Sequence, residues 1–229
     1  MSNLFTSSIG KKLIMSVTGL FLVLFIIFHM SMNIVAVISA DGYNAVCEFL
    51  GANWYALAAT VILAAGVLVH FIYAFVLTIL NRRARGRIRY AVTVNEEGVD
   101  WSSKNMLALG LIVVCGLLLH LFNFWSKMQL VEIMGGHTAV LGDGSEVSPT
   151  DGVAIIRYTF SQWYYALLYI IWFVALWFHL THGMWSMMQS AGLNNKIWLK
   201  RFKCIANFVS TVILIGFALV VIVFYIQSL

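Results

Sequence analysis

Histidine is the residue type in this chain that is best placed to do chemistry. The sequence contains six histidines. Those that lie in long apolar stretches without any Asp, Glu, Lys or Arg are His29, His70, His120, His179 and His182. A neutral imidazole can ligate a metal ion or exchange a proton near neutral pH. Because an ionisable side chain at membrane depth is a candidate for function, the segments that hold these histidines decide what they can do.

The composition places the histidines in a membrane protein. The chain is 62% hydrophobic and 10% charged, whereas soluble domains average about 45–50% apolar and about 25% charged residues. The net charge of +5 does not indicate nucleic-acid binding, because the basic residues lie at the ends of apolar stretches. The three cysteines form no disulfide framework or zinc motif. Cys115 and Cys204 are expected to be small core residues.

Five stretches are long enough to cross a bilayer, which takes about 20 helical residues. They are Leu13–Ile38, Trp54–Leu80, Asn105–Trp125, Phe160–Met188 and Ile205–Ile226. Backbone groups in lipid must pair within their own segment, so these stretches are helices. The sequence therefore predicts an all-α integral membrane protein, a five-transmembrane-helix bundle that forms a single membrane domain over residues 1–229.

The distribution of charge predicts the orientation of the bundle. One side carries Lys11, Lys12, Arg82, Arg83, Arg85, Arg87, Arg89, Lys104, Lys196, Lys200, Arg201 and Lys203. The other side carries Asp41, Glu48, Glu132, Asp143, Glu146 and Asp151, with Lys127 and Arg157 as its cations. The positive-inside rule puts the N-terminus in the cytoplasm and the C-terminus outside. The long segment between the third and fourth stretches is predicted to be an outer loop with turns.

The depth of each histidine sorts four of them into two layers. At 1.5 Å per residue, His29 lies about 24 Å and His120 about 22 Å from the cytoplasmic ends of their stretches. His70 lies about 15 Å and His179 about 14 Å from the corresponding ends. The first and third stretches thus supply an outer layer of histidines, and the second and fourth stretches supply an inner layer.

Two histidines that face each other at one depth are what a six-coordinate haem iron needs, since imidazoles supply both axial nitrogens. We expect an outer haem iron bound by His29 and His120 and an inner haem iron bound by His70 and His179. The sequence has no CxxCH motif, so both haems would be non-covalent. The alternative is that the histidines form hydrogen bonds between helices, but this does not explain their two layers.

Glycines near the histidines favour the haem interpretation. Gly66, Gly116 and Gly183 each lie four residues from a histidine of the two layers. Residues four apart share a helix face, so a missing side chain there leaves room for a flat porphyrin. His182 follows His179 by three residues, and from the residues alone either of them is the fourth ligand. His137, in the outer loop, is expected to be solvated.

Four motifs around the histidines resemble one family. They are F-H-M-S-M-N at residues 28–33, V-H-F-I-Y at 69–73, L-H-L-F-N-F-W at 119–125 and F-H-L-T-H-G-M-W-S at 178–186. Over nearly its whole length the chain resembles the dihaem cytochrome b membrane anchors of succinate dehydrogenases and fumarate reductases, the type with one large five-helix anchor. In that family, glycines follow the helix-four ligand by four and by thirteen residues. Gly183 and Gly192 fit this spacing and favour His179 over His182.

The resemblance implies an electron-transfer role within a larger oxidoreductase. It implies two haem b groups in this chain, and a flavoprotein subunit with FAD and an iron–sulfur subunit on the cytoplasmic face. Electrons would pass between these subunits and a quinone, menaquinone in this family, during succinate oxidation or fumarate reduction. The chain itself would carry no dicarboxylate chemistry. It would be a multi-pass protein in the lipid of a prokaryotic cytoplasmic membrane, in a complex that can form dimers.

The resemblance also implies two minor sites and shows one departure. Ser16 stands where relatives place a polar group near a haem propionate, although a helix-packing serine is an equal alternative. Glu48 is the nearest match to a carboxylate that serves the quinone in some relatives, although an exposed loop carboxylate is the simpler interpretation. Trp177 stands where some relatives have a glutamate for proton transfer, so we expect no carboxylate relay within the spans.

Other function classes stay open. A dihaem anchor of a hydrogenase or formate dehydrogenase would use the same histidines and differ in its soluble subunits. A cytochrome bc-type subunit fits less well, because it usually places two histidines on each of two helices. A small non-redox transporter would be expected to have broken helices or paired repeats, and the sequence shows neither.

Overall fold

The apolar stretches fold into long helices. The computed structural model describes residues 7–85, 101–190, 192 and 195–229. The helices in these residues are α1 (Ser8–Ile38), α2 (Ala40–Phe49), α3 (Trp54–Arg85), α4 (Trp101–Lys104), α5 (Met106–His120), α6 (Gln129–Ile133), α7 (Gly152–Ser161), α8 (Trp163–Ser190) and α9 (Lys196–Ile226). A π-helical segment, Leu121–Trp125, continues α5. Strands β1 (Ala139–Val140) and β2 (Glu146–Val147) form an antiparallel hairpin.

Within the described residues, five helical segments are long and apolar enough to cross a membrane. They are α1, α3, α5 with its π-helical continuation, α8 and α9. This confirms the prediction of an all-α chain with five candidate membrane spans. The side of the membrane on which each terminus lies stays a prediction. Arg87 and Arg89, which carry part of that argument, lie outside the described residues.

Four of the five candidate spans begin at residues other than those predicted from the sequence, and the fourth and fifth spans are the informative cases. Gln162 has an extended backbone, with φ −86° and ψ 110°, which separates α7 from α8. The fourth span therefore begins at Trp163, and Phe160 belongs to α7. The fifth helix begins at Lys196, well before its apolar part. Lysine and arginine are good helix formers, so the apolar length of a stretch underestimates the length of its helix.

The helices differ in how firmly they are packed. Helix α8 is central and packs against α1, α5 and α9, whereas α3 packs mainly against α1. Buried side chains from α8 and its neighbours form the core, among them Tyr169, Phe173, Phe124, Val221 and Phe224. The most apolar part of α3 has no buried residue. The bundle thus encloses α8 and leaves α3 at its edge.

The segments outside the spans form a cap at one end of the bundle. The side chain of Asn44 on α2 donates to Asp151 Oδ1 at 2.8 Å and accepts from the backbone N of Val153 at 3.1 Å. Gln129 on α6 donates to the backbone O of Gly51 at 3.1 Å. The predicted outer loop is therefore built from α6, the hairpin and α7, which close over α2. We call this the capped end, and the opposite end, where α1 and α9 begin, the basic end.

The cysteines lie in two kinds of environment. All three are free thiols. Cys115 and Cys204 are exposed on the outside of the bundle, so the expectation that they are core residues is wrong. Cys47 on α2 is partly buried beside Gly152 and Tyr43, and burial raises the pKa of its thiol to about 11. That thiol is neutral at physiological pH and therefore a weak nucleophile.

Candidate functional site

Two pairs of histidines face each other inside the bundle. His29 on α1 and His120 at the end of α5 have ring centroids 5.6 Å apart and ring planes at 85°. His70 on α3 and His179 on α8 have ring centroids 6.5 Å apart and ring planes at 64°. We call the first the capped-end pair and the second the basic-end pair. The structure thus brings together the histidines that share a predicted depth, and their role as metal ligands stays a prediction.

The spacing within each pair suits a metal ion. Two imidazoles on opposite sides of one metal ion place their ring centroids about 6 Å apart, because a metal–imidazole nitrogen bond is about 2 Å long. The separations of 5.6 Å and 6.5 Å lie on either side of this value. Direct edge-to-face contact between rings gives centroid separations of about 4.5–7 Å as well. The spacing of each pair is therefore compatible with one metal ion between its rings without requiring one.

The two pairs lie at different levels along the helices. On α1, Thr18 contacts the basic-end pair through Nδ1 of His70 at 3.1 Å, and it precedes His29 by eleven residues. On α5, Gly110 lies beside the basic-end pair and precedes His120 by ten residues. At 1.5 Å per residue, both helices separate the pairs by about 15 Å. Two groups held by these pairs would be stacked along the bundle axis.

Aromatic rings surround the capped-end pair. Those with centroids between 5.2 Å and 6.5 Å from a ring of the pair are Phe25, Phe217, Phe124, Tyr169 and Trp172. Phe25 stacks on His29 with its plane at 15°. Nε1 of Trp172 donates to the backbone O of Val113 at 3.1 Å, which fixes the indole between α5 and α8. These side chains present apolar, planar ring faces, which are suitable for packing against a haem macrocycle.

A polar connection reaches the capped-end pair from the cap. Nδ2 of Asn33 lies 3.4 Å from Nε2 of His29 and donates to the backbone O of the same residue at 2.8 Å. The hydroxyl of Tyr43 donates to Oδ1 of Asn33 at 3.3 Å. Asn33 thus orients His29 from within α1, and Tyr43 orients Asn33 from α2.

The π-helical segment follows His120 directly and turns a polar side chain inward. Asn123 is 0% exposed, and its Nδ2 donates to the hydroxyl of Tyr169 at 3.4 Å. Its Oδ1 has no hydrogen-bond partner among the described residues. Buried polar atoms are normally paired, and π-helical turns are frequent at functional sites. Asn123 is therefore a candidate for contact with a bound group near His120.

The basic-end pair has a different environment. Oγ1 of Thr18 lies 3.1 Å from Nδ1 of His70. A Cβ placed on Gly19 would lie 3.4 Å from Cε1 of His70, and one on Gly110 would lie 3.8 Å from Cε1 of His179. Nδ1 of His179 is buried and has no hydrogen-bond partner among the described residues. Glycines thus admit both rings, and one ring nitrogen is available to a ligand.

Three glycines, Gly66, Gly116 and Gly183, are predicted to leave room for a porphyrin. An added Cβ would overlap the ring of Phe21 at Gly66 and the indole of Trp172 at Gly116. At Gly183 the nearest atom would be Cε of Met106, 4.0 Å away. Gly66 and Gly116 therefore admit aromatic side chains between helices in this structure.

The two remaining histidines, His182 and His137, are not members of the pairs. The ring of His182 packs edge-on against Trp185, with centroids 5.0 Å apart, and it is His179 whose ring faces His70. The choice of His179 over His182 as the fourth ligand stays a prediction. His137 is exposed in the cap, in line with a solvated side chain.

Ser16 and Glu48 lie outside the pairs. The hydroxyl of Ser16 donates to the backbone O of Lys12 at 2.9 Å, within α1. Glu48 is exposed and lines an open cavity of about 780 Å³ at the capped end, together with Glu132 and His137. The cavity is of the size that small-molecule sites have, about 300–1,000 Å³.

Sequence reasoning missed several residues that contact the pairs. They are Thr18, Gly19, Asn33, Gly110 and Trp172. No protein-family model matches the chain, and neither a curated protein nor a solved structure matches it significantly. Function is therefore proposed from the geometry of this chain and from its sequence motifs.

Proposed function

We propose that the chain is the membrane anchor and electron-transfer subunit of a succinate:quinone oxidoreductase, holding two b haems. The observation that carries the proposal is the arrangement of four histidines as two facing pairs, 5.6 Å and 6.5 Å apart, at levels separated by about 15 Å. His29 and His120 would hold the outer haem, and His70 and His179 the inner one. A haem iron bound by two imidazoles supplies reversible one-electron transfer.

The protein's own residues position and enclose the two sites. The aromatic rings around His120 exclude water from the outer site, and a low local dielectric strengthens each remaining polar contact there. Nδ2 of Asn33 lies 3.4 Å from Nε2 of His29, while Asn123, three residues after His120, has a buried amide oxygen without a hydrogen-bond partner among the described residues. At the inner site, Thr18 and Gly19 of α1 position the ring of His70, which lies on α3. The chain would supply the haem ligands, orient their rings and exclude water from the two sites. It would carry out no dicarboxylate chemistry.

The proposed orientation places the basic end in the cytoplasm of a prokaryotic cell, with the chain as a multi-pass protein of its cytoplasmic membrane. Basic residues of α3 and α9 at that end, such as Arg82 and Arg201, support this through the positive-inside rule. An iron–sulfur subunit would dock there and connect the inner haem to a flavoprotein that interconverts succinate and fumarate.

The quinone would react at the capped end, where the outer pair lies. The cavity beside Glu48 is of suitable size, and its carboxylate would accept a hydrogen bond or a proton from the quinol. In addition to its two haems, the chain would thus bind a quinone substrate, which we propose is menaquinone.

The test is to purify the chain from cells supplied with a haem precursor and to count haem by pyridine haemochromogen. We expect two b haems per chain with bis-histidine spectra, and no succinate oxidation by the isolated chain. A folded, colourless preparation would sink the proposal.

Copurification in mild detergent then identifies the enzyme. A flavoprotein and an iron–sulfur subunit that oxidise succinate support the proposal. Hydrogenase or formate dehydrogenase subunits would reassign the anchor to another enzyme and leave the haem sites in place.

A further inference from the structure

One contact bears on the protonation of His70. Its Nδ1 lies 3.1 Å from Oγ1 of Thr18, a distance at which one atom donates a hydrogen bond to the other. Thr18 belongs to α1 and His70 to α3, so the bond joins two helices. Which atom donates decides which ring nitrogen of His70 keeps its lone pair.

The other contacts of Thr18 decide the direction of this bond. Oγ1 lies 2.9 Å from the backbone O of Ile14 and 3.1 Å from that of Met15. A carbonyl oxygen only accepts, and a hydroxyl has one proton to donate. When that proton points to the helix backbone, Oγ1 accepts from Nδ1–H of His70. In the reverse direction, Oγ1 would face two carbonyl oxygens with no proton between them, which is unfavourable.

We propose that Thr18 is a positioning residue that holds His70 as the Nδ1–H tautomer, with the lone pair on Nε2. The inference rests on the proposed function, in which His70 ligates the inner haem iron. A metal-ligating histidine commonly donates its second ring N–H to a neighbouring oxygen, which fixes the tautomer and raises the basicity of the ligand. Thr18 supplies this oxygen.

Gly19 completes the contact surface for the ring. An added Cβ there would lie 3.4 Å from Cε1 and 3.9 Å from Nδ1 of His70, so this edge of the imidazole rests against α1. The same ring faces His179 across 6.5 Å. Because α3 packs mainly against α1, the contact with Thr18 and Gly19 fixes His70 relative to its main neighbouring helix.

Of the four predicted ligands, His70 is the one with a hydroxyl partner in the part of the chain that the structure describes. His29 has the amide of Asn33 close to Nε2, and Nδ1 of His179 has no partner there. The tautomer control is therefore specific to one ligand of the inner site. A change at Thr18 acts on one haem and leaves the other as an internal reference.

The first measurement compares wild type, Thr18→Val and Thr18→Ser. Valine keeps the shape of threonine without its hydroxyl, whereas serine keeps the hydroxyl. Each protein is labelled with ¹⁵N-histidine in haem-deficient cells, reconstituted in lipid and studied by solid-state NMR, with a His70→Gln sample to identify the His70 resonances. We expect the Nδ1–H tautomer in wild type and Thr18→Ser, and the Nε2–H tautomer in Thr18→Val.

The second measurement uses haem-loaded protein. Thr18→Val should weaken haem binding at the inner site by about 10- to 100-fold, as is typical when such a partner is removed. It should also raise the midpoint potential of the inner haem, because a less basic imidazole stabilises ferric iron less. Thr18→Ser should restore both properties. Thr78→Val is the matched control, since the hydroxyl of Thr78 donates to the backbone O of Ala74 within α3 at 2.8 Å, and it should change neither haem.

Two results would overturn the role of Thr18 and leave the proposed function standing. One is an Nε2–H tautomer of His70 in the wild type, which needs no variant to fold. The other is a Thr18→Val protein with the tautomer, haem affinity and inner potential of the wild type. A wild-type chain that binds no haem would overturn the proposed function, while the NMR measurement would still decide the state of His70.

Discussion

The capped-end and basic-end pairs have similar spacing but are held by different forces. His29 and His120 are enclosed by aromatic rings from α1, the π-helical segment, α8 and α9. His70 stands on α3, which packs mainly against α1, and a hydrogen bond to Thr18 orients it. A site held by packing is sensitive to volume, whereas a site held by a hydrogen bond is sensitive to the loss of one atom. The two sites should therefore respond to different substitutions.

The largest expected effect follows from removing a ligand. His120→Ala should abolish the outer haem and keep the inner one, and His70→Ala should do the reverse. Haem content should fall from two to one per chain in each case, as measured by pyridine haemochromogen and redox titration. His182→Ala is the control and should keep both haems. Loss of the inner haem in His182→Ala but not in His179→Ala would show that His182 is the ligand.

The second effect separates packing from hydrogen bonding. Gly116→Ala places a methyl group where the indole of Trp172 lies, and such overpacking costs about 1–3 kcal/mol. We expect a less stable protein with a perturbed outer haem and an unchanged inner haem. Denaturant titration and visible spectra measure these changes.

Gly183→Ala is the matched control for Gly116→Ala. The nearest protein atom to its new methyl group is 4.0 Å away, so in the haem-free protein the change should be neutral or stabilise the helix by up to about 1 kcal/mol. Equal stability of the two variants would contradict the packing argument.

The third effect tests the polar contact at the capped end. Asn33→Ala removes the amide that lies 3.4 Å from Nε2 of His29, and a hydrogen bond of this kind contributes about 1 kcal/mol. We expect a small shift in the potential of the outer haem and none in the inner haem. Asn105→Ala, which removes a bond to the backbone of Trp101, should shift neither. A larger shift in the inner haem than in the outer one would contradict the assignment of Asn33.

The smallest effect concerns the quinone and leaves both pairs intact. Glu48→Gln should weaken quinol binding by about threefold, which corresponds to ~0.7 kcal/mol, because interactions of exposed carboxylates are weak. Quinol titration of the haems measures it, and Glu146→Gln on β2 is the control. Unchanged quinol affinity in Glu48→Gln would move the quinone site away from this cavity.

The candidate spans could be predicted because lipid imposes a minimum apolar length on each helix. The ends of the spans could not be predicted in this way. The break between α7 and α8 at Gln162 lies among apolar residues, and it depends on how α7 packs under the cap. The same packing made the loop between α5 and α8 into ordered helices and a hairpin. Sequence alone gives no sign of these contacts between distant residues.

The contrast between Ser16 and Thr18 shows what periodicity can add. Eleven residues are close to three turns of an α-helix, so Thr18 shares a face of α1 with His29. Thirteen residues correspond to about 3.6 turns, so Ser16 faces away from that side. Counting turns from His29 therefore points to Thr18, which the structure places beside His70. The glycines that admit histidine rings, Gly19 and Gly110, have no such signal, since their partners come from other helices.

The marginal packing of α3 has a consequence for how the protein is assembled. A helix that buries little of its own surface has few packing contacts to hold it in the bundle. A ligand bound jointly by this helix and a neighbouring helix would therefore contribute much of its affinity for the bundle. If His70 and His179 share an iron atom, ligand binding and helix docking are one equilibrium. Haem supply then controls not only the colour of the protein but the fraction of newly inserted chains whose second span stays associated. In cells starved of haem, a larger fraction of the chains would have this span detached from the bundle.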